Sequence, residues 1–197
     1  MKRQFIWIFG YLVIGSSLLS QKSLAEESFS TWTACRTVLE EQQHDLSLDY
    51  NAFDQSAAQG WRPLAVIECY REAAELIVSY LDSNPGLTGN EREILAFHAG
   101  QMLAYDNDYD SAISFFEQSF FPQGELPLDF KPYADAWDAY VNATIAFLRQ
   151  DQAALMAYRA DVAAGPTLNG EQPMNLEVVD RLIENFGKPY RQAYGGR

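Results

Sequence analysis

The chain has 197 residues, with 27 acidic against 14 basic side chains, a formal charge of −13 and 14% aromatic residues. That length suits one domain with a real core, and the aromatic content excludes a disordered chain. The negative surface disfavours nucleic acid and anionic lipid as partners.

Lys2 and Arg3 precede an uncharged apolar run over residues 5–19, and a polar exit follows in which Ser23 and Ala25 flank Leu24. This is the layout of a secretory signal cleaved after Ala25. The run is shorter than the roughly 20 residues a membrane-spanning helix needs. The expected division is therefore a signal peptide over 1–25 and a single helical domain over 26–197. That domain would work in the periplasm or outside the cell, with no stable membrane insertion after cleavage. Lys2, Arg3 and Lys22 leave with the leader and no acidic residue does, so the remaining domain carries −16. Such a surface favours a basic partner.

Period 3.6 runs through nearly all of the chain, and period 2 is nearly absent. Trp32, Cys35, Val38 and Leu39 predict a first helix over 30–43. Leu46, Leu48, Tyr50 and Phe53 mark a packed loop over 44–62, with a short helix near 52–58 ended by Gly60. Pro63 suits the first turn of the next helix. This helix is expected to run to residue 81, with Val66, Cys69, Tyr70, Ala73, Leu76, Ile77 and Tyr80 on one face, until Asn84, Pro85 and Gly86 stop it. Cys35 and Cys69 form an even pair, which in an oxidising compartment favours a disulfide. Two buried free thiols are the alternative.

Helices over 90–104 and 109–120 flank an acidic turn at 106–108. Pro122, Gly124, Pro127 and Pro132 then make a long connection over 121–132, and long ordered loops often line sites. Helices over 133–149 and 152–163 turn at Gln150 and Asp151. A last helix over 175–186 stops at Gly187 and Pro189, leaving a short tail. The expected fold class is all-α, with antiparallel helix pairs stacked side by side.

Residues 93–126 resemble a tetratricopeptide repeat (TPR). Read against that pattern of roughly 34 residues, Gly100 takes the close-packing glycine and Tyr109 the aromatic after the turn. Ala112 takes the small residue of the second helix and Phe116 its buried aromatic; Ala96 stands in place of the leading Trp. Ala73 and Pro85 fit an earlier repeat, and Ala154 and Tyr158 a later one. The small residues are spaced by 39 and 42, so the array is irregular. The phrases FDQSAAQGWRPLA, CYREAAELI, AYVNATIAFLRQDQAAL and RLIENFGKPYRQAY also resemble exported bacterial proteins of uncharacterised function. These resemblances imply an irregular TPR-like stack in a bacterial, periplasmic protein. By fold analogy alone it would bind a protein or peptide along a concave face, and no catalytic residue is transferred.

Residues 106–117 place Asp106, Asp108, Asp110, Ile113 and Glu117 at positions 1, 3, 5, 8 and 12 of a calcium-binding loop. Ser111 stands where that loop needs glycine, and the same residues read as an acidic turn capping a helix. His44 and His98 are the only histidines, and no zinc motif, nucleophile elbow or glycine-rich phosphate loop occurs. No metal, cofactor or catalytic residue is therefore expected. Tyr133, Trp137 and Tyr140 share one helix face after Phe130: either core packing between repeats, or a groove that anchors a peptide or glycan. Tyr190 and Tyr194 beside Arg191 offer a similar set at the tail. The function expected is an exported protein- or peptide-binding module without catalysis. The alternative is a small exported enzyme acting on cell-wall or glycan material through two carboxylates; a pocket holding such a pair, one with a raised pKa, would favour it.

Overall fold

The computed structural model describes residues 33–122, 126–167, 170 and 172–195. The expected signal peptide over 1–25 and the predicted helix start at residue 30 lie outside the described residues. The described chain is all-helical, and its one piece of extended pairing is an isolated bridge between Thr167 and Pro173. In chain order the helices are α1 (33–41), a 3-10 turn at Gln43–Ser47, a π-helical turn at Asn51–Gln55, α2 (Arg62–Val66), α3 (Tyr70–Ser83), α4 (Gly89–Tyr105), α5 (Tyr109–Glu117), α6 (Lys131–Leu148), α7 (Gln152–Ala163), α8 (Leu176–Glu184) and α9 (Tyr190–Gly195). No helix among the described residues is long and apolar enough to cross a membrane.

Two corrections concern helix boundaries. The single helix expected from Pro63 to residue 81 is two helices, broken at Ile67, Glu68 and Cys69. Glu68 adopts φ 64°, its N–H bonds the carbonyl of Ala65, and the N–H of Cys69 bonds that of Leu64. This is the Schellman closure, which satisfies the last carbonyls of α2 and turns the chain at once into α3. The tail is also more than a tail: α9 is helical, and Tyr190 and Ala193 are fully buried.

The same closure recurs twice. After α4, Asn107 has φ 64°, and Asp108 N–H reaches the Leu103 carbonyl at 2.9 Å. After α6, Gln150 has φ 57°, and Asp151 N–H reaches the Ala146 carbonyl at 2.9 Å. In both, the next residue immediately caps the following helix: Asp108 accepts from Ser111 N–H and Asp151 from Ala154 N–H. Helix α4 opens on a full capping box, Thr88 accepting from Glu91 N–H while the Glu91 carboxylate accepts from Thr88 N–H.

Helix α4 is the central element, packed against both α3 and α5. Its small residues Ala96, Ala99, Gly100 and Ala104 permit this, being nearly or fully enclosed. A Cβ on Gly100 would lie 2.9 Å from the Ala112 carbonyl oxygen and 2.9 Å from Cδ1 of Phe116. The close approach of α4 to α5 therefore depends on the missing methyl. Helices α6 and α7 form the next tight pair, and α8 packs on both. Cys35 in α1 is joined to Cys69, at the start of α3, with Cα atoms 5.5 Å apart, as the disulfide reading expected.

Candidate functional site

Helix α6 presents two unlike faces. Its aromatic face points inward. Tyr140 is 2% exposed, its ring centroid 5.1 Å from that of Phe97. Burial, reinforced by Tyr190, pushes the Tyr140 phenol well above its ordinary range. Trp137 is half-buried, 5.1 Å from Phe97, and its Nε1–H donates to the Ser119 carbonyl at 2.8 Å. Only Tyr133 is exposed, loosely stacked on Phe130. Trp137 and Tyr140 thus seat α6 against Phe97 of α4 and the chain leaving α5, while Tyr133 stays at the surface.

The other face of α6 is open. With α7 it walls a groove of about 690 Å³, lined by Asp135, Asp138 and Asn142 from α6 and by Tyr158 and Asp161 from α7. The floor is small: Ala136, Ala139, Ala164 and Gly165, with Pro132 and Pro166 at the ends. A Cβ on Gly165 would lie 2.8 Å from the Ala136 Cβ, so glycine lets the end of α7 settle onto α6. The acidic rim already holds one cation: Lys131 Nζ lies 2.7 and 2.9 Å from the two carboxylate oxygens of Asp135. Asp138 accepts from Phe121 N–H at 3.1 Å, which ties the groove to the chain leaving α5.

Helix α4 carries a further buried carboxyl group. Glu93 is 8% exposed, and its Oε2 is buried with no hydrogen-bond partner among the described residues. Burial raises its pKa, and the negative charge of Asp138 adds to the rise. Glu93 is therefore biased toward the neutral acid while Asp138 stays on the groove wall.

A third polar cluster was not foreseen. Asp54, fully buried, accepts from Trp61 Nε1–H at 2.9 Å and from His98 Nδ1–H at 2.8 Å, and also from the Gln55 amide. Burial alone would raise the Asp54 pKa, but the hydrogen bond and charge of His98, with Trp61 and Arg62, outweigh it and hold it below its ordinary value. Arg62 stacks over the Trp61 ring at 4.4 Å and donates to the Asp54 carbonyl. The carboxylate fixes the His98 proton on Nδ1. No described hydroxyl or thiol hydrogen-bonds the ring, so the cluster acts as a polar tie between the 51–62 segment and α4. A lone histidine gives no sequence signal for such a pairing.

Residues 106–117 are not a calcium loop. Helix α5 begins at Tyr109, so positions 4 to 12 of the would-be loop are helical. Three of the four carboxylates are already engaged: Asp106 and Asp108 with Arg71 at 2.6 and 3.5 Å, and Glu117 with Arg149 at 2.9 Å. Among the described residues, Cys35, Cys69 and Glu72 are close enough to share an ion. The two sulfurs are bonded to each other, which leaves no thiolate to ligate.

No family model, no curated protein and no solved structure matches the chain. Its site is therefore read from geometry alone, and the acid-rimmed groove between α6 and α7 is the strongest candidate for contact with a ligand.

Proposed function

We propose that the chain is an exported, periplasmic helical-repeat protein of irregular TPR-like type, and that it binds a basic protein or peptide segment without catalysis. The observation that supports this reading is the α6–α7 groove. Three aspartates, Asp135, Asp138 and Asp161, surround a floor of alanine and glycine, and one of them already holds an ammonium group. A lysine or arginine stem lies well against small apolar residues while its head meets carboxylates at the rim. The repeated Schellman turns and the Gly100–Ala112–Phe116 contact are consistent with stacked helical pairs. The test is titration of the folded chain with a lysine- and arginine-rich peptide and with its glutamate-rich counterpart. The basic peptide binds, and Asp161→Asn with Asp135→Asn weakens it and flattens its salt dependence. Equal binding of both peptides, or no effect of the two substitutions, rejects the groove.

A second reading rests on Glu93 and Asp138. A carboxyl group biased toward its neutral form near a carboxylate that lines a groove is a pairing that acid–base cleavage of a glycan uses. Release of reducing ends from cell-wall glycan by the wild type, lost in both Glu93→Gln and Asp138→Asn, would establish it. Full release by either variant would remove it.

A further inference from the structure

The C-terminal helix α9 is held like a bound peptide. Tyr190 inserts its ring between those of Tyr105 and Phe147, with centroids at 5.7 and 6.0 Å, and reaches Phe116 at 6.5 Å. Its backbone N–H donates to the Tyr109 hydroxyl at 3.2 Å. The next residue, Arg191, forms a two-point ion pair with Glu68 at 2.7 and 2.9 Å and lies over the Tyr70 ring at 5.4 Å. One turn on, Tyr194 packs edge-on to Tyr105 at 6.0 Å. The anchors of this short helix are thus two rings four residues apart and an arginine directly after the first. That is how a helical segment lies in a groove, and aromatic and arginine side chains are the usual anchors of an interface.

Three features mark this contact as exchangeable. The Arg191–Glu68 pair is about half exposed on both sides, so it selects more than it stabilises. Glu68 itself occupies a left-handed position, at φ 64°, where glycine would be unstrained. A glutamate there sets a carboxylate at the mouth of the aromatic cleft. The link to α8 turns at Gly187, φ 86°, just before Pro189, a hinge about which α9 swings once the Arg181 Nε–H bond to the Tyr194 carbonyl, 3.1 Å long, is broken.

We propose that the cleft formed by Tyr70, Tyr105, Tyr109, Phe116, Phe147 and Glu68 is a docking site for a partner segment that carries this aromatic–arginine–aromatic pattern, and that α9 occupies it in cis. This surface is separate from the α6–α7 groove and stands or falls independently of it. Partner binding then requires α9 to swing out, and its apparent affinity is reduced by the fraction of molecules in which the cleft is open.

The test uses the full chain and a fluorescein-labelled synthetic peptide of residues 186–197, FGKPYRQAYGGR. Arg191→Glu weakens the cis contact while leaving the cleft intact, so the peptide binds this variant about two- to fivefold more tightly than wild type, the range an exposed ion pair supports. Glu68→Arg abolishes that gain, and a peptide carrying Tyr190→Ala and Tyr194→Ala does not bind. In wild type, backbone amides of 190–195 exchange with solvent through an opening that leaves α4 and α5 protected. The proposal is overturned if those amides exchange only together with α4 and α5. It is equally overturned if folded Arg191→Glu takes up no more peptide than wild type, or if the alanine peptide binds as well. A concentration-dependent dimer of Arg191→Glu that takes up no peptide also overturns it, because the occupant is then a second copy of the chain.

Discussion

Gly100→Ala sets two opposing terms against each other inside one methyl group. An alanine within a helix gains about 1 kcal/mol over glycine from backbone entropy. On that ground alone the variant would be more stable, since Gly100 lies well inside α4 and its backbone is helical. Against it stands geometry: the new Cβ would meet the Ala112 carbonyl oxygen and the Phe116 ring, both at 2.9 Å. The oxygen belongs to the backbone of α5 and cannot rotate away, and Phe116 is fully buried with Phe97 behind it at 4.9 Å. Overpacking of a core contact costs about 1–3 kcal/mol, so the net expectation is a loss of about 1 kcal/mol, or roughly 2–4 °C in Tm for a domain of this size. Gly100→Leu should cost far more, because the α4–α5 pair must part. Urea denaturation followed by circular dichroism measures both. A Gly100→Ala protein as stable as wild type, or more so, would show that α4 and α5 yield freely and that their close approach is not what glycine provides.

Cys35→Ala with Cys69→Ala should cost about 3–4 kcal/mol, the chain-entropy value for a loop of this length, read as a lower urea midpoint with a similar or larger slope. Asp54→Asn places an amide where Trp61 and His98 both donate, and should cost roughly 2–3 kcal/mol at pH 7. Because the folded pKa of Asp54 is depressed, its contribution is complete above the unfolded value and is lost as pH falls below about 4; the variant's acid limb should be correspondingly shallower. Glu93 has the opposite sign, since its folded pKa is raised. Native protein binds that proton more tightly, so stability falls as pH rises past about 4.3 toward the folded value. Glu93→Gln should raise Tm at pH 8 and leave it nearly unchanged at pH 4; an unchanged Tm at pH 8 would refute the buried-acid assignment.

The helical class and most helix positions were legible because they rest on strong local signals: 3.6-residue periodicity, the acidic turn at 106–108, Pro63 at a first turn; the Cys35–Cys69 pairing was legible only through the even cysteine count and the expected compartment. The break at Glu68 was not, because left-handed closures advertise themselves through glycine or asparagine, and glutamate or glutamine gives no such sign. The tail misled for a related reason. Six residues ending in glycine look like an end, and only tertiary contacts with Tyr105, Phe116 and Phe147 make them a helix. The aromatic face of α6 was found in sequence with the correct spacing but no direction. Periodicity says which residues share a face, and only the packed neighbours say whether that face meets core or solvent.

Helix α6 packs Trp137 and Tyr140 inward and leaves outward a stripe of alanine, asparagine and aspartate that no composition rule marks as functional. The groove exists because Ala136, Ala139 and Gly165 have too little side chain to fill the space between α6 and α7. In each tight pair the governing variable is therefore the small residue: Gly100 closes α4 onto α5, while the alanines of α6 hold α7 close yet leave a channel above it. The three closures at Glu68, Asn107 and Gln150 are spaced by 39 and 43 residues, although their sequences share no motif. What the three turns share lies in backbone geometry and not in side-chain identity. A likeness at that level is nearly silent to residue-by-residue matching and plain in the hydrogen bonds.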